Sequence, residues 1–268
     1  MNLNFYQFIK KKYHFLQKII VLSNVIPTIS KNQEQANHYD EFQERFHGGR
    51  GLEMRKSLVE CITTSTKDKM LVLDVGCGTG DISIRVANNF PKAKIIAIDA
   101  SSTYLDVAKN KVKNNKFEKQ IKFKKINLKT IDSNKIKQLG LFDIVISQYV
   151  LHYDFNHVSL FGKIHKSMNE GAKIIIGINV LLSDRHLSDL WWKNTEDYSF
   201  KWHLSKGSNS VEAKSKAKID RVGLQRYVKK HVELYSLEKW MQMFKKAGFK
   251  DVECVWQDYH DVIMQASK

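Results

Sequence analysis

Two acids and three glycines stand within Asp74-Val75-Gly76-Cys77-Gly78-Thr79-Gly80-Asp81, directly after the apolar run Leu71-Val72-Leu73. The apolar run reads as a fully buried strand, and Ile82-Ser83-Ile84-Arg85-Val86-Ala87 resumes with helical character. Between them the glycines serve a sharp reversal of the chain and a close approach of backbone to a ligand, with no Cβ in the way. The ligand class is decided by one side chain. A dinucleotide fingerprint counted from Gly76 wants a small residue at position 81, where pyrophosphate meets the helix N-terminus. Asp81 stands there instead, and a carboxylate beside a dianionic pyrophosphate is repulsive, so NAD and FAD are disfavoured. A ligand without phosphate and with a cationic centre is compatible.

The stretch resembles motif I of the class I S-adenosylmethionine-dependent methyltransferases, hydrophobic-L-D-hydrophobic-G-C-G-T-G, at every motif position. S-adenosyl-L-methionine carries a sulfonium, an ammonium and a carboxylate, which suits the acid at 81. The resemblance implies cofactor contacts from Asp74, Gly76, Cys77, Gly78, Thr79 and Gly80. Ile95-Ile96-Ala97-Ile98-Asp99 is a second buried strand ending in an acid, nineteen residues after Gly80. It matches the carboxylate that takes the ribose hydroxyls in this family, much as in dinucleotide sites, with Ala100 beside it. Asn127 and Leu128 follow the next strand, where the family places an acid or amide against the adenine amino group; Asn127 departs from the commoner Asp. Leu141 to Gln148 resembles motif IV, with Ser147 and Gln148 at the strand end where doubly wound sheets bind ligands. The implied fold class is α/β: a doubly wound Rossmann-like, mostly parallel seven-stranded sheet with an antiparallel last strand and a helical lid insertion. The resemblance covers roughly residues 35–180 and 234–268, and it is specific for the cofactor while nearly silent on the acceptor.

The elements that hold these residues follow from pattern. The chain of 268 residues, 43% hydrophobic, has enough apolar content for one domain with decoration. Residues 1–34 form a basic amphipathic extension, with Phe5, Phe8, Ile9, Tyr13, Leu16 and Ile20 near helical spacing and lysines between them. Such a helix lies on an anionic membrane through residues 1–22 or covers a patch of its own domain. The methyltransferase domain spans 35–268. Its leading segment carries Tyr39, Arg50 and Arg55, candidates to face the methionine carboxylate; a helix that merely packs on the sheet is the alternative. A helix from about Asn156 is expected to end at Gly171, a good C-cap. Residues 181–233 are too long for one structureless loop and form the expected lid, gathering His186, Trp191, Trp192, Tyr198, Phe200, Trp202 and His203. These aromatics make an acceptor pocket, stack a nucleobase, or build a small satellite core.

Three cysteines lie far apart with no CxxC pair, which argues against a disulfide framework or structural zinc and fits a reducing, cytoplasmic interior. No run of eighteen apolar residues marks a membrane span. The net charge of +16 raises the question of nucleic acid. Only seven of the 44 basic residues are arginine, the residue suited to bidentate phosphate recognition, and eleven lysines cluster between Lys109 and Lys137 as a solvated face. Methyl transfer from a sulfonium is an in-line displacement that needs positioning and no metal. A base is required only if the acceptor must lose a proton, with His152 and His186 as candidates. Tyr39, Tyr153, Trp191 and Trp202 are the candidate substrate contacts. The leading expectation is a small-molecule acceptor; the alternatives are RNA, as in wobble-uridine-modifying relatives, and a non-catalytic S-adenosyl ligand-binding protein.

Overall fold

The computed structural model describes residues 36–46, 49–63, 69–153 and 155–268. The amphipathic extension of residues 1–34 and the loop residue Gly48 lie outside the described residues. Two helices come first, α1 (Tyr39–Phe46) and α2 (Arg50–Glu60). The alternating core follows as β1 (Leu71–Val75), α3 (Asp81–Asn89), β2 (Lys94–Asp99), α4 (Ser102–Asn114) and β3 (Ile121–Lys125). It continues through α5 (Ser133–Lys137), β4 (Phe142–Gln148), α6 (His157–His165) and β5 (Met168–Asn179). The long helices α7 (Arg185–Ser205) and α8 (Ser210–His231) pack together as a hairpin, and α9 (Leu237–Lys246), β6 (Lys250–Asp258) and β7 (Asp261–Ser267) close the chain.

The seven strands order as β3-β2-β1-β4-β5-β7-β6. β1 pairs in parallel with both β2 and β4, so the strand order reverses at its C-terminal end. Doubly wound sheets bind ligands at that reversal, because the connections leave the sheet in opposite directions and open a crevice. β7 runs antiparallel between β5 and β6, as expected of the last strand.

Apolar residues on both faces of the strands explain why both are covered. Leu73, Val75, Ile98, Val145 and Ile176 pack under Phe161 and Ile164 of α6 and Trp240 and Phe244 of α9. Val72, Ile95, Ile146 and Ile175 face Met54 and Leu58 of α2, Val86 of α3 and Leu105 of α4. In α9, Leu237, Trp240, Met241 and Phe244 fall at helical spacing; Trp240 and Phe244 are buried together with Met243, and Ser236 caps that helix by accepting from Lys239 N. Ser101 caps α4 in the same way, accepting from Tyr104 N.

One boundary differs from expectation. Helix α6 ends at His165, and Gly171 lies inside β5 with φ +73°, where the register against β4 shifts. Asn169 explains the longer strand: its amide donates to Asp143 Oδ1 and draws Met168 to Gly171 alongside β4. Gly171 therefore serves a bulge and not a cap.

The stacked pair Phe161–Phe244, ring centroids 4.3 Å apart, sits at the centre of one layer, both side chains fully buried. Phe244→Ala should cost about 3–5 kcal/mol and lower the melting temperature by roughly 10 °C. Calorimetric scanning checks this; a drop of a degree or two would mean the layer collapses around the cavity.

Candidate active site

The turn after β1 is held in place from beneath. Gly76 N and Cys77 N both donate to Ile98 O at the end of β2, at 2.8 and 3.0 Å. Gly76, Gly78 and Gly80 all take positive φ, 72°, 53° and 84°. A Cβ on Gly76 would also run into the Val150 side chain. Asp74 is 1% exposed below the turn, where Ser83 Oγ donates to its Oδ2 at 2.6 Å and Oδ1 has no partner. Burial in this position pushes the Asp74 carboxyl up to about 7, against the lowering by the Ser83 bond.

Asp99 ends β2 and faces the same crevice. Gly78 N donates to its Oδ2 at 3.0 Å and Ser101 N to its Oδ1 at 2.7 Å. Burial raises this carboxyl, and the two amide bonds oppose the rise. Asp81 opens α3 between two cations, Arg55 Nη1 at 2.7 Å and Lys111 Nζ at 2.8 Å. Burial works to raise the Asp81 carboxyl, yet Arg55 and Lys111 together hold it below the usual range. Arg55 also donates from Nε to Gln148 Oε1 at 2.8 Å, and the Gln148 amide donates on to Gly51 O. One chain of bonds thus ties α2, the β1 turn and the end of β4.

Helix α1 lies over the turn. Asp40 accepts from Thr79 Oγ1 at 2.5 Å and pairs with Lys111. Tyr39 packs on Tyr104 with ring centroids 4.6 Å apart. At its other end, Arg45 meets Asp220 of α8 at 3.0 Å, and Ser199 and His203 of α7 bond the same carboxylate.

Two neighbouring cavities result, and Gly76 lines both. The larger, about 320 Å³, is lined by Ile98, Asp99, Ala100, Ile126, Asn127, Leu128 and Lys129, then by Val150, Tyr153, Phe155, Lys230 and His231. The smaller, about 30 Å³, is lined by Tyr39, Gln43, Arg55, Cys77, Gly78, Thr79, Asp81, Ile82, Gln148 and Tyr149. Between them they collect most of the residues singled out from the sequence. Asp74 and Ser147 act from below; Ser147 Oγ donates to Val75 O at 2.7 Å, tying β4 to β1. Gly80 packs against Ala108.

Four candidates are placed elsewhere. His186 is exposed at the start of α7. His152 is buried under the loop after β4, its Nδ1 accepting from Asn179 N at 3.4 Å, and it lines neither cavity. Trp191 is also buried, its Nε1 donating to Asp261 Oδ2 at 3.0 Å. Trp202 stacks on the Arg45 guanidinium. Burial and a hydrogen-bonded ring nitrogen turn His152 and Trp191 toward packing.

Several residues were missed. Tyr104 and Tyr227 join Tyr39 and Tyr153 in a group of tyrosines near Asp99, and Tyr153 and Tyr227 share a hydroxyl–hydroxyl hydrogen bond. Burial raises all four phenols, Tyr153 to about 12. Asp261, fully buried, accepts from Tyr149 Oη, Asn179 Nδ2 and Trp191 Nε1, and burial pushes it up to about 6. No local spacing announces these contacts, because topology alone brings them together. A buried acid opening the last strand, Asp261, was the one visible signal.

A family model described as a methyltransferase domain matches residues 66–248, more than half of the chain. The chain belongs to the class I S-adenosylmethionine-dependent methyltransferases. It is 27% identical over 196 residues to carboxy-S-adenosyl-L-methionine synthase of Campylobacter jejuni, covering 72% of this chain and 75% of that protein. It is 27% identical to demethylmenaquinone methyltransferase of Lactococcus lactis, over 68% of this chain and 66% of that one. Among solved structures, an O-methyltransferase family protein from Burkholderia thailandensis superposes with a TM-score of 0.60 at 14% identity, over 89% of this chain. Human N-acetylserotonin methyltransferase, solved with SAM, gives 0.58 at 18% over 89% of this chain. The chain spans about three fifths of the length of each of these two, and at such identities they share the fold alone.

The methyltransferase cofactor fits the residues present. An unpartnered carboxylate oxygen on Asp74, a backbone cradle that side chains would fill, and an excess of acids around it suit a ligand with cationic nitrogen and sulfur. Among the described residues, the cations at the cradle, Arg55 and Lys111, are both engaged by Asp81, which leaves neither for a pyrophosphate.

Asp74 gives a pH signature. A carboxyl near 7 in the folded chain and about 4 in the unfolded chain binds extra protons on folding. Its contribution to stability is full below about pH 4 and is lost as the pH rises through about 7. Asp74→Asn, neutral throughout, should therefore gain melting temperature relative to the unsubstituted chain between pH 4 and pH 8, both without ligand. A gap independent of pH would show that Asp74 does not titrate in this window.

Proposed function

We propose that this methyltransferase moves the methyl group of S-adenosylmethionine to a small-molecule acceptor. The observation that carries the reading is the larger cavity: a concave space of about 320 Å³ walled by sheet, loop and helical hairpin, of the size in which small ligands bind. In this reading Asp99 holds the ribose hydroxyls, Ala100, Asn127 and Leu128 surround the adenine, and the glycine turn carries the methionine end near Tyr39, Arg55 and Gln148. The α7–α8 hairpin acts as the lid. Names among the relatives are consistent: a quinone methyltransferase is among the curated proteins, and an O-methyltransferase family 2 protein of Planctomyces limnophilus was solved with apigenin.

The cofactor, when bound, would supply a methyl group on a positively charged sulfur, which would leave as the neutral thioether of S-adenosylhomocysteine as an acceptor nucleophile bonds the methyl carbon in line. The chain's own work is then to align the acceptor and keep water out. Tyr153 and Tyr227 stay protonated at neutral pH, so they position without removing a proton. Where the acceptor must lose a proton, His231 takes the role first considered for His152 and His186. It lines the cavity, and burial together with the charge of Lys230 holds its imidazole below the ordinary value and so available as a base.

A second reading is favoured by the curated relatives, several of which are named carboxy-S-adenosyl-L-methionine synthase at 24–27% identity. There the cofactor itself would be modified, and mass spectrometry of the recovered cofactor separates the two: a heavier, carboxylated product against S-adenosylhomocysteine.

Two outcomes are expected. Asp99→Ala should weaken binding of S-adenosylhomocysteine at least about tenfold in calorimetry, through loss of charged hydrogen bonds, with the fold intact by circular dichroism. Unchanged affinity would remove Asp99 from the cofactor site. Labelled-methyl transfer to a metabolite pool should vary little between 50 and 200 mM salt, a range over which phosphate-contacting proteins lose orders of magnitude. A steep loss, repeated with an RNA pool and abolished by neutralising the exposed Lys214, Lys216 and Lys218, would assign the acceptor to RNA.

A further inference from the structure

We infer that the acceptor carries an anionic oxygen group, a carboxylate or a phosphate, received by Lys230, His231 and Tyr153. The inference rests on the small-molecule reading above and narrows it to a substrate class.

The larger cavity has two unlike walls. Asp99, Ala100, Asn127 and Leu128 are taken by the cofactor in that reading, and among the other described lining residues Val150, Tyr153, Phe155, Lys230 and His231 form a wall supplied by the loop after β4 and the end of α8. Apart from the two apolar side chains, every group on this wall is able to donate a hydrogen bond. Asp99 is the one acid among the described side chains lining the cavity, and two amides already bond it. A cationic acceptor would meet these charges unfavourably, a neutral one would leave them unused, and an anion would pair with them.

Lysine and histidine in the last turn of a helix have an ordinary explanation, since they offset the partial negative charge there. Lys229, Lys230 and His231 all lie in that turn of α8, and Lys229 lines no part of the cavity. Lys229 meets the helix end as well as its neighbours do, so that explanation leaves open why the other two line the cavity. The backbone gives the reason. Tyr153 and Val232 form an isolated antiparallel bridge, and Glu233 N donates to His152 O at 2.8 Å. These bonds fasten the end of α8 to the loop after β4 and aim its last turn at the cofactor cavity. The Tyr153–Tyr227 bond and the packing of His231 on the Tyr227 ring, centroids 5.1 Å apart, fix the donors relative to one another. Tyr153 and His231 are thus held in place before any ligand arrives, which is how a binding site limits its entropic cost. His231 is held mostly neutral by burial and Lys230, so an anion beside it would favour uptake of a proton.

The full chain is incubated with methyl-labelled S-adenosylmethionine and a metabolite extract, with an RNA pool in parallel, and products are fractionated by anion exchange at pH 8. Label retained on the resin and released by alkaline phosphatase identifies a phosphate; label retained after phosphatase identifies a carboxylate. With the retained fraction as acceptor, Lys230→Gln should cut transfer at limiting acceptor at least about tenfold and recover at high acceptor, a KM effect. Lys230→Arg should restore it. Affinity for S-adenosylhomocysteine should stay within about twofold in both variants, which also reports that they fold. Label in a fraction that flows through overturns the inference and leaves the small-molecule reading standing. Equal loss of acceptor and cofactor binding in Lys230→Gln overturns it as well, because Lys230 would then serve the adenosine. Label confined to RNA, or no label with S-adenosylhomocysteine still bound, overturns the small-molecule reading and the inference with it.

Discussion

The site depends on one constraint, the left-handed backbone at Gly76, Gly78 and Gly80 between β1 and α3. Only a residue without Cβ occupies that region three times in five positions without strain, and at Gly76 the nearby Val150 side chain forbids a Cβ on contact grounds as well. The shape of the turn points amide groups toward Ile98 O and Asp99, so the ends of β1 and β2 become one surface. From there the polar chain through Asp81, Arg55 and Gln148 brings in α2 and β4, and Asp40 brings in α1. Each partner is charged or hydrogen-bonded because it is withdrawn from water, where an unpaired charge would be costly.

How much of this was legible in the sequence follows from the distance over which each feature is encoded. The turn, Asp99 and the α9 stripe are local patterns of strand, glycine and helix, and the structure keeps them where spacing put them. The seven-stranded order with β7 reversed came through the family resemblance. Gly171 was misread because glycine suits both a helix end and a bulge, and only pairing of Met168 with Phe142 decides between them. His152, Trp191 and Trp202 were read as site residues from chemistry alone. Their hydrogen bonds and ring contacts face Asn179, Asp261 and Arg45, partners between 27 and 157 positions away in the chain. Lys230 and His231 go unnoticed for the same reason, since they reach the cavity only through the docking of α8.

The α7–α8 hairpin is less of an appendage than its place as an insertion implies. Arg45 of α1 reaches Asp220 on α8, Arg50 at the start of α2 pairs with Asp258 and comes within 3.4 Å of Thr195, and His260 meets Ser188. Elements from both ends of the domain therefore bear on the hairpin, and its side facing the sheet is shaped by them. Polar bonds of this kind specify one docked arrangement more than they add stability, because their desolvation offsets much of their attraction.

The mooring of Trp191 on Asp261 has a consequence for synthesis. The carboxylate that receives the indole lies 70 residues later in the chain. It also belongs to the strand that β5 needs as a neighbour on one side. While a ribosome is still making that strand, β1 to β5 have already been made, and β1 to β4 pair with one another and with β5. The hairpin, by contrast, has been made but has no acid to hold its indole. The bond that moors the indole therefore forms only after the chain has been made through β7.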